Sequence, residues 1–171
     1  MAEGNSSSPN EEDKQKKRKE AATAQQNAIK MCETDGSRCI KYIEDAIRAA
    51  QEAYGPVHIT VAFLKSLLST FLEVNDISVE AENQYKQALA IAQQLRAEHN
   101  TVKPLAMVLV MRGEAMLQHG RLEEAKYYFE EALQLSETEA SVRELFRDDL
   151  EYLKRKMPQA EAQGQSRSAN K

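Results

Sequence analysis

Proline and glycine are scarce, four and six in 171 residues, so little in the chain breaks a helix. Its abundance of Ala, Glu, Gln, Leu and Lys points to helix throughout. Long apolar runs are also missing. Nothing approaches the roughly eighteen residues of a transmembrane helix, and the first residues lack the apolar centre of a signal peptide, so no membrane association is expected. The expected location is cytoplasmic, with the nucleus as the other compartment. Positive charge is not in excess. A formal net charge of −4 gives no global attraction to nucleic acid or to an acidic bilayer, and nucleic acid is a disfavoured partner. Cysteine is limited to Cys32 and Cys39. Their spacing matches no metal site, and small buried thiols in a reducing compartment are the preferred reading over a disulfide across the short turn between them.

Catalytic patterns are missing as well. There is no nucleophile elbow, phosphate-binding glycine loop or dinucleotide fingerprint. His58, His99 and His119 fall at expected linkers or helix ends, where a capping or solvated imidazole is the ordinary case, and none has a second ligand at metal spacing. Glu123 and Glu124, like Asp148 and Asp149, are adjacent, and adjacent helical residues point in different directions. No enzymatic activity, cofactor or metal is expected.

What is present is helical periodicity between polar ends. Residues 1–14 have almost nothing apolar to bury and are expected to form a disordered tail. An adjoining cluster, Lys16, Lys17, Arg18 and Lys19, can be read as a nuclear import signal or as a solvated helical turn. Residues 15–157 carry the helices. Ala21, Ala24, Ala28 and Met31 form one stripe, Asp35 and Gly36 mark a turn, and Ser37 is placed to cap the next helix. Tyr54, Gly55 and Pro56 end that helix. A third helix, about His58 to Glu73, has a wide apolar face that Asn75 and Asp76 close. Ala81, Tyr85, Ala88 and Leu89 lie on a fourth. Ser136 and Glu139 have the spacing of a capping box ahead of a last helix with Val142, Leu145, Phe146, Leu150, Leu153 and Met157 on one stripe. Residues 158–171 are again polar and expected to be a disordered tail.

The clearest unit is Ala106 to Leu135, AMVLVMRGEAMLQHGRLEEAKYYFEEALQL. Gly113 in the first half, Gly120 at the break, then Ala125, Phe129 and Ala132 fill the places of the tetratricopeptide repeat signature, which this stretch resembles. Cys39, Ile43 and Ala46, and then Ala81, Tyr85 and Ala88, repeat the offsets of Ala125, Phe129 and Ala132. The matching alanines Ala46, Ala88 and Ala132 recur at intervals of 42 and 44 residues. That period, the linker GPVHITVA (Gly55 to Ala62), and the helix endings QALAIAQQL and EALQL resemble repeats of the kinesin light chain type. The resemblance covers about 120 residues.

This resemblance implies an all-α fold, a short right-handed solenoid of about three antiparallel helix pairs plus a C-terminal capping helix. It also implies that the first helix of each pair lines a concave groove. Carried over, the groove positions are Ala21, Ala24, Ala28 and Met31; Phe63, Ser66, Thr70 and Glu73; and Met107, Val110, Glu114 and Leu117. None is basic, which disfavours the acidic C-terminal peptides held by chaperone-binding relatives. The backbone-gripping asparagines of kinesin light chain repeats are also missing, with Ser66 and Leu67 at one such pair of places and Val110 and Met111 at the other. Arg112 stands where that family usually has leucine. The expectation is a non-catalytic adaptor that holds a peptide or amphipathic helix of another protein in a mostly apolar groove. The alternative is a structural subunit packed permanently in a larger assembly or homo-oligomer.

Overall fold

The computed structural model describes residues 9–145. Seven helices follow one another: α1 (Pro9–Thr34), α2 (Gly36–Tyr54), α3 (Ile59–Val74), α4 (Ser78–His99), α5 (Lys103–Gln118), α6 (Leu122–Thr138) and α7 (Ala140–Leu145). No strand occurs among the described residues. Six helices pack as pairs, α1 with α2, α3 with α4 and α5 with α6, and the pairs stack through α2 on α3 and α5 on both α3 and α4. This is the short solenoid expected of the sequence.

Local chemistry sets the boundaries. α1 starts at Pro9, with Glu11 and Glu12 in its first turn, where the helix dipole favours negative charge. It therefore begins well before the apolar stripe at Ala21 and carries residues 9–14 and the basic cluster as helix. Asp35 alone separates α1 from α2. Ser37, expected to cap the second helix, lies inside α2, which begins at Gly36. His58 caps α3 by accepting the Thr60 N–H at Nδ1, 3.2 Å away. Asp76 and Gly120 turn the chain within pairs at positive φ, 60° and 70°; Asn100, at 49°, does so between pairs.

Two further expectations are corrected. Cys32 and Cys39 are joined in a disulfide, because the one-residue connection between α1 and α2 brings their Cα atoms to 4.7 Å, inside the range a disulfide spans. Ser136 and Glu139 form no capping box. α6 continues through Ser136, which is buried and donates to the Leu133 carbonyl at 2.7 Å. The break comes at Glu139, whose extended backbone ends α6 while its carboxylate accepts the N–H of Val102 ahead of α5, 3.1 Å away. A hydroxyl satisfied by its own preceding turn has no reason to start a new helix. Of the expected final helix, α7 is described; Phe146, Leu150, Leu153 and Met157 lie outside the described residues.

The core follows the alanine offsets. Ala28, Cys39, Ile43, Ala46, Leu64 and Leu68 bind α1, α2 and α3 together. Ala88 and Ala92 of α4, Val108 of α5 and Ala132 of α6 form the next cluster. Small residues at these crossings let helix backbones approach closely. Gly113 is the extreme case, since a Cβ built there would overlap the ring of Phe129.

Candidate functional site

The expected groove positions split into two groups. Ala21, Ala28, Ser66, Glu73 and Val110 are buried, taken up by packing within the chain. Ala24, Met31, Phe63, Thr70, Met107, Glu114 and Leu117, from α1, α3 and α5, are half-buried. The Ser66 hydroxyl has no hydrogen-bond partner among the described residues, while the Thr70 hydroxyl donates to the Ser66 carbonyl at 3.1 Å. Lys16, Lys17, Arg18 and Lys19 are all exposed on the N-terminal part of α1. α2 ends beside them, where the Tyr54 hydroxyl donates to the Arg18 carbonyl at 3.3 Å.

Glu73 carries a role that its groove position did not suggest. Its carboxylate, buried at the end of α3, pairs with Arg112 of α5 at 3.5 Å and with Arg121 at the start of α6 at 3.1 Å. Arg112 is itself 6% exposed, donates to Glu82 of α4 at 2.7 Å and lies 4.7 Å from the centre of the Tyr85 ring. One guanidinium thus ties α5 to both helices of the preceding pair. The signal in the sequence was the charge at a position where the signature calls for leucine. Arg121 also grips Glu124, which holds that carboxyl below the usual range and raises the guanidinium.

Other polar groups serve the fold. Lys65 of α3 donates to Gln84 and Gln87 of α4 at 3.2 and 2.8 Å, and burial lowers its pKa. Burial, followed by the neighbouring Tyr128, pushes the Tyr85 hydroxyl up. His58 stacks on Tyr54 at 4.4 Å; desolvation first, then the charge of Arg18, lowers its pKa. His99 is the last residue of α4, and His119 is the C-cap of α5. Among the described residues no group of three or more His, Cys, Asp or Glu is placed to hold a metal, and no helix is long and apolar enough to cross a membrane.

Two clefts among the described residues lie away from the expected groove positions. The larger, about 670 Å³, lies between α4 and α6 with Leu105 and Leu109 of α5 as its floor. On a helix of 3.6 residues per turn, that floor is on the opposite side of α5 from Met107 and Glu114. The smaller, about 290 Å³, sits where α3, α4 and α5 meet, between His58, Leu95 and Pro104. The cleft-lining residues of α4, Tyr85, Leu89, Gln93 and Arg96, share one helical face, but periodicity does not tell an open stripe from a covered one.

The α5–α6 pair carries the decisive geometry: Gly113 under the Phe129 ring, Gly120 at positive φ in the turn, and Ala125 and Ala132 fully buried. Residues 106–139 match the tetratricopeptide repeat. Neither a curated protein nor a solved structure matches the chain. The tetratricopeptide match spans α5 and α6, and the preceding pairs bury residues at the same offsets, Cys39, Ile43 and Ala46 in the first and Ala81, Tyr85 and Ala88 in the second. An all-helical fold of tetratricopeptide type supports a protein–protein interaction or scaffolding role.

Proposed function

We propose that this chain is an adaptor that holds a peptide or amphipathic helix of another protein against the face made by α1, α3 and α5. One observation carries the reading: after packing has used Ser66, Glu73 and Val110, the apolar side chains Met31, Phe63, Met107 and Leu117 of α1, α3 and α5 still keep part of their surface exposed. Methionine suits such a surface because it adapts to varied partners. Glu73 is committed to Arg112 and Arg121, and Glu114 is half-buried at a later groove position. A helix with an apolar stripe and a basic residue beside it fits this face. The long spacing between pairs and the linker Gly55 to Ala62 favour repeats of the kinesin light chain type.

The test is photo-crosslinking in cells from Phe63 or Met107, which keep part of their surface free where Val110 does not. The expected product is an adduct with one other protein that Glu114→Lys weakens. Adducts with this chain alone overturn the reading.

A second reading, the structural subunit of a larger assembly or homo-oligomer, is favoured by Val74, Ile77 and Val79. These aliphatic residues around the α3–α4 turn are 51%, 46% and 80% exposed. Under it the purified chain associates with rising concentration in sedimentation, whereas the adaptor stays monomeric.

A further inference from the structure

The adaptor reading leaves the cleft between α4 and α6 without a role. Its floor is leucine, and Tyr85 and Tyr128 meet edge-on at 5.8 Å to close one end. Its walls are open: Gln93 and Arg96 of α4 and Gln134 of α6 are exposed, and the Tyr127 ring at its lip is 55% exposed. Aromatic and arginine side chains around a leucine floor are the composition of an interface centre.

We propose that this cleft is a second docking site, which takes a short extended peptide bearing one bulky apolar side chain and a carboxylate about four residues away. Three observations select that occupant. The first is charge. Arg96 forms no ion pair among the described residues, whereas Glu131 on the opposite wall already accepts the Tyr127 hydroxyl at 2.8 Å. Glu131 keeps its charge but acts on Tyr85 at the other end, so the charge at the Arg96 end is positive and calls for a carboxylate. The second is the pair of carboxamides. Gln93 and Gln134 stand on opposite walls, and neither makes a hydrogen bond among the described residues. Such groups pair with backbone N–H and C=O, which an extended peptide leaves free and a helix does not. The third is length. Leu89 and Arg96 are separated by about 10 Å along α4, which an extended chain covers in about three to four residues. The apolar side chain then rests on Leu89, Leu105 and Leu109, and the carboxylate reaches Arg96.

The test uses the full chain and a set of fluorescently labelled hexapeptides. Each has one Leu or Phe and, three to five residues on, an Asp, Gln or Lys; binding is read by anisotropy. The wild-type chain is expected to hold the acidic peptides at least tenfold more tightly than the basic ones. Arg96→Glu should reverse that order, and Gln93→Ala with Gln134→Ala should weaken all binding about tenfold. All three side chains are exposed, so melting followed by circular dichroism should not move. Met107→Lys, on the other face, should leave peptide affinity unchanged, which separates this site from the adaptor face. Several results overturn the proposal: no binding by any peptide of the set, binding indifferent to the charge at 96, self-association through Arg96 in sedimentation, or cross-links from Gln93 into residues 146–171.

Discussion

Arg112 of α5 and Glu73 of α3 lie 3.5 Å apart, both almost sealed from water, at the joint between the second and third helix pairs. Arg112→Leu restores the residue of the repeat signature yet leaves Glu73 and Glu82 without this partner. Removing one member of a buried pair costs about 3 kcal/mol or more. Glu73 still has Arg121, so a loss of about 3 kcal/mol in urea unfolding is expected. The double change Glu73→Leu with Arg112→Leu should cost less than the two single changes added together.

Close helix approach gives a second prediction. Gly113→Ala forces a methyl group into the Phe129 ring, and Ala132→Phe overfills a site that is 1% exposed. Each should destabilise by about 1 to 3 kcal/mol. Phe129→Leu should relieve part of the Gly113→Ala penalty. Unchanged thermal stability of Ala132→Phe would contradict the repeat register.

The Ser66 hydroxyl is 3% exposed and unpartnered among the described residues. Removing a buried unsatisfied group is neutral or stabilising, so Ser66→Ala should hold or raise the melting temperature. A fall would show that the hydroxyl is satisfied in solution.

His58 links stability to pH. Its Nδ1 accepts the Thr60 N–H, which only the neutral ring can do, and its pKa lies below the ordinary 6.5. The folded state thus binds its proton less readily than the unfolded chain. The contribution is fully present above about pH 6.5 and is lost as pH falls through the lower folded value. Denaturant titrations between pH 7.5 and 5 should show this decline, and His58→Asn, which keeps a capping acceptor, should remove the part due to the ring.

The disulfide closes a short loop, for which chain entropy gives about 2 kcal/mol. Reductant should lower the melting temperature of the wild-type chain and leave that of Cys32→Ala with Cys39→Ala unmoved.

Features set by local spacing were legible in the sequence. The three helix pairs, the recurring buried Ala46, Ala88 and Ala132, the place of His58 at a helix end and the turn at Asp76 all follow from helical offsets and turn chemistry. Features set by distant partners were not. Glu73 looked like a groove acid because its two arginines are 39 and 48 residues away. Glu139 looked like part of a local cap, although its partner is the Val102 N–H. The α4–α6 cleft was hidden for the same reason: an amphipathic stripe records that a face is mixed, and only the packing of α5 beneath it leaves the stripe open.

The tie across the α1–α2 turn also has a mechanical meaning. When load is applied to the ends of the chain, the segment from Cys32 to Cys39 cannot pay out, so roughly 20 Å of contour is withheld from any stretched state until a reductant cuts the bond. The first pair can be peeled only as a crosslinked hairpin, whereas the Gly120 turn of the third pair has no such restraint among the described residues. In a single-molecule extension trace, the reductant-dependent length would mark the first pair and give the order in which the solenoid comes apart.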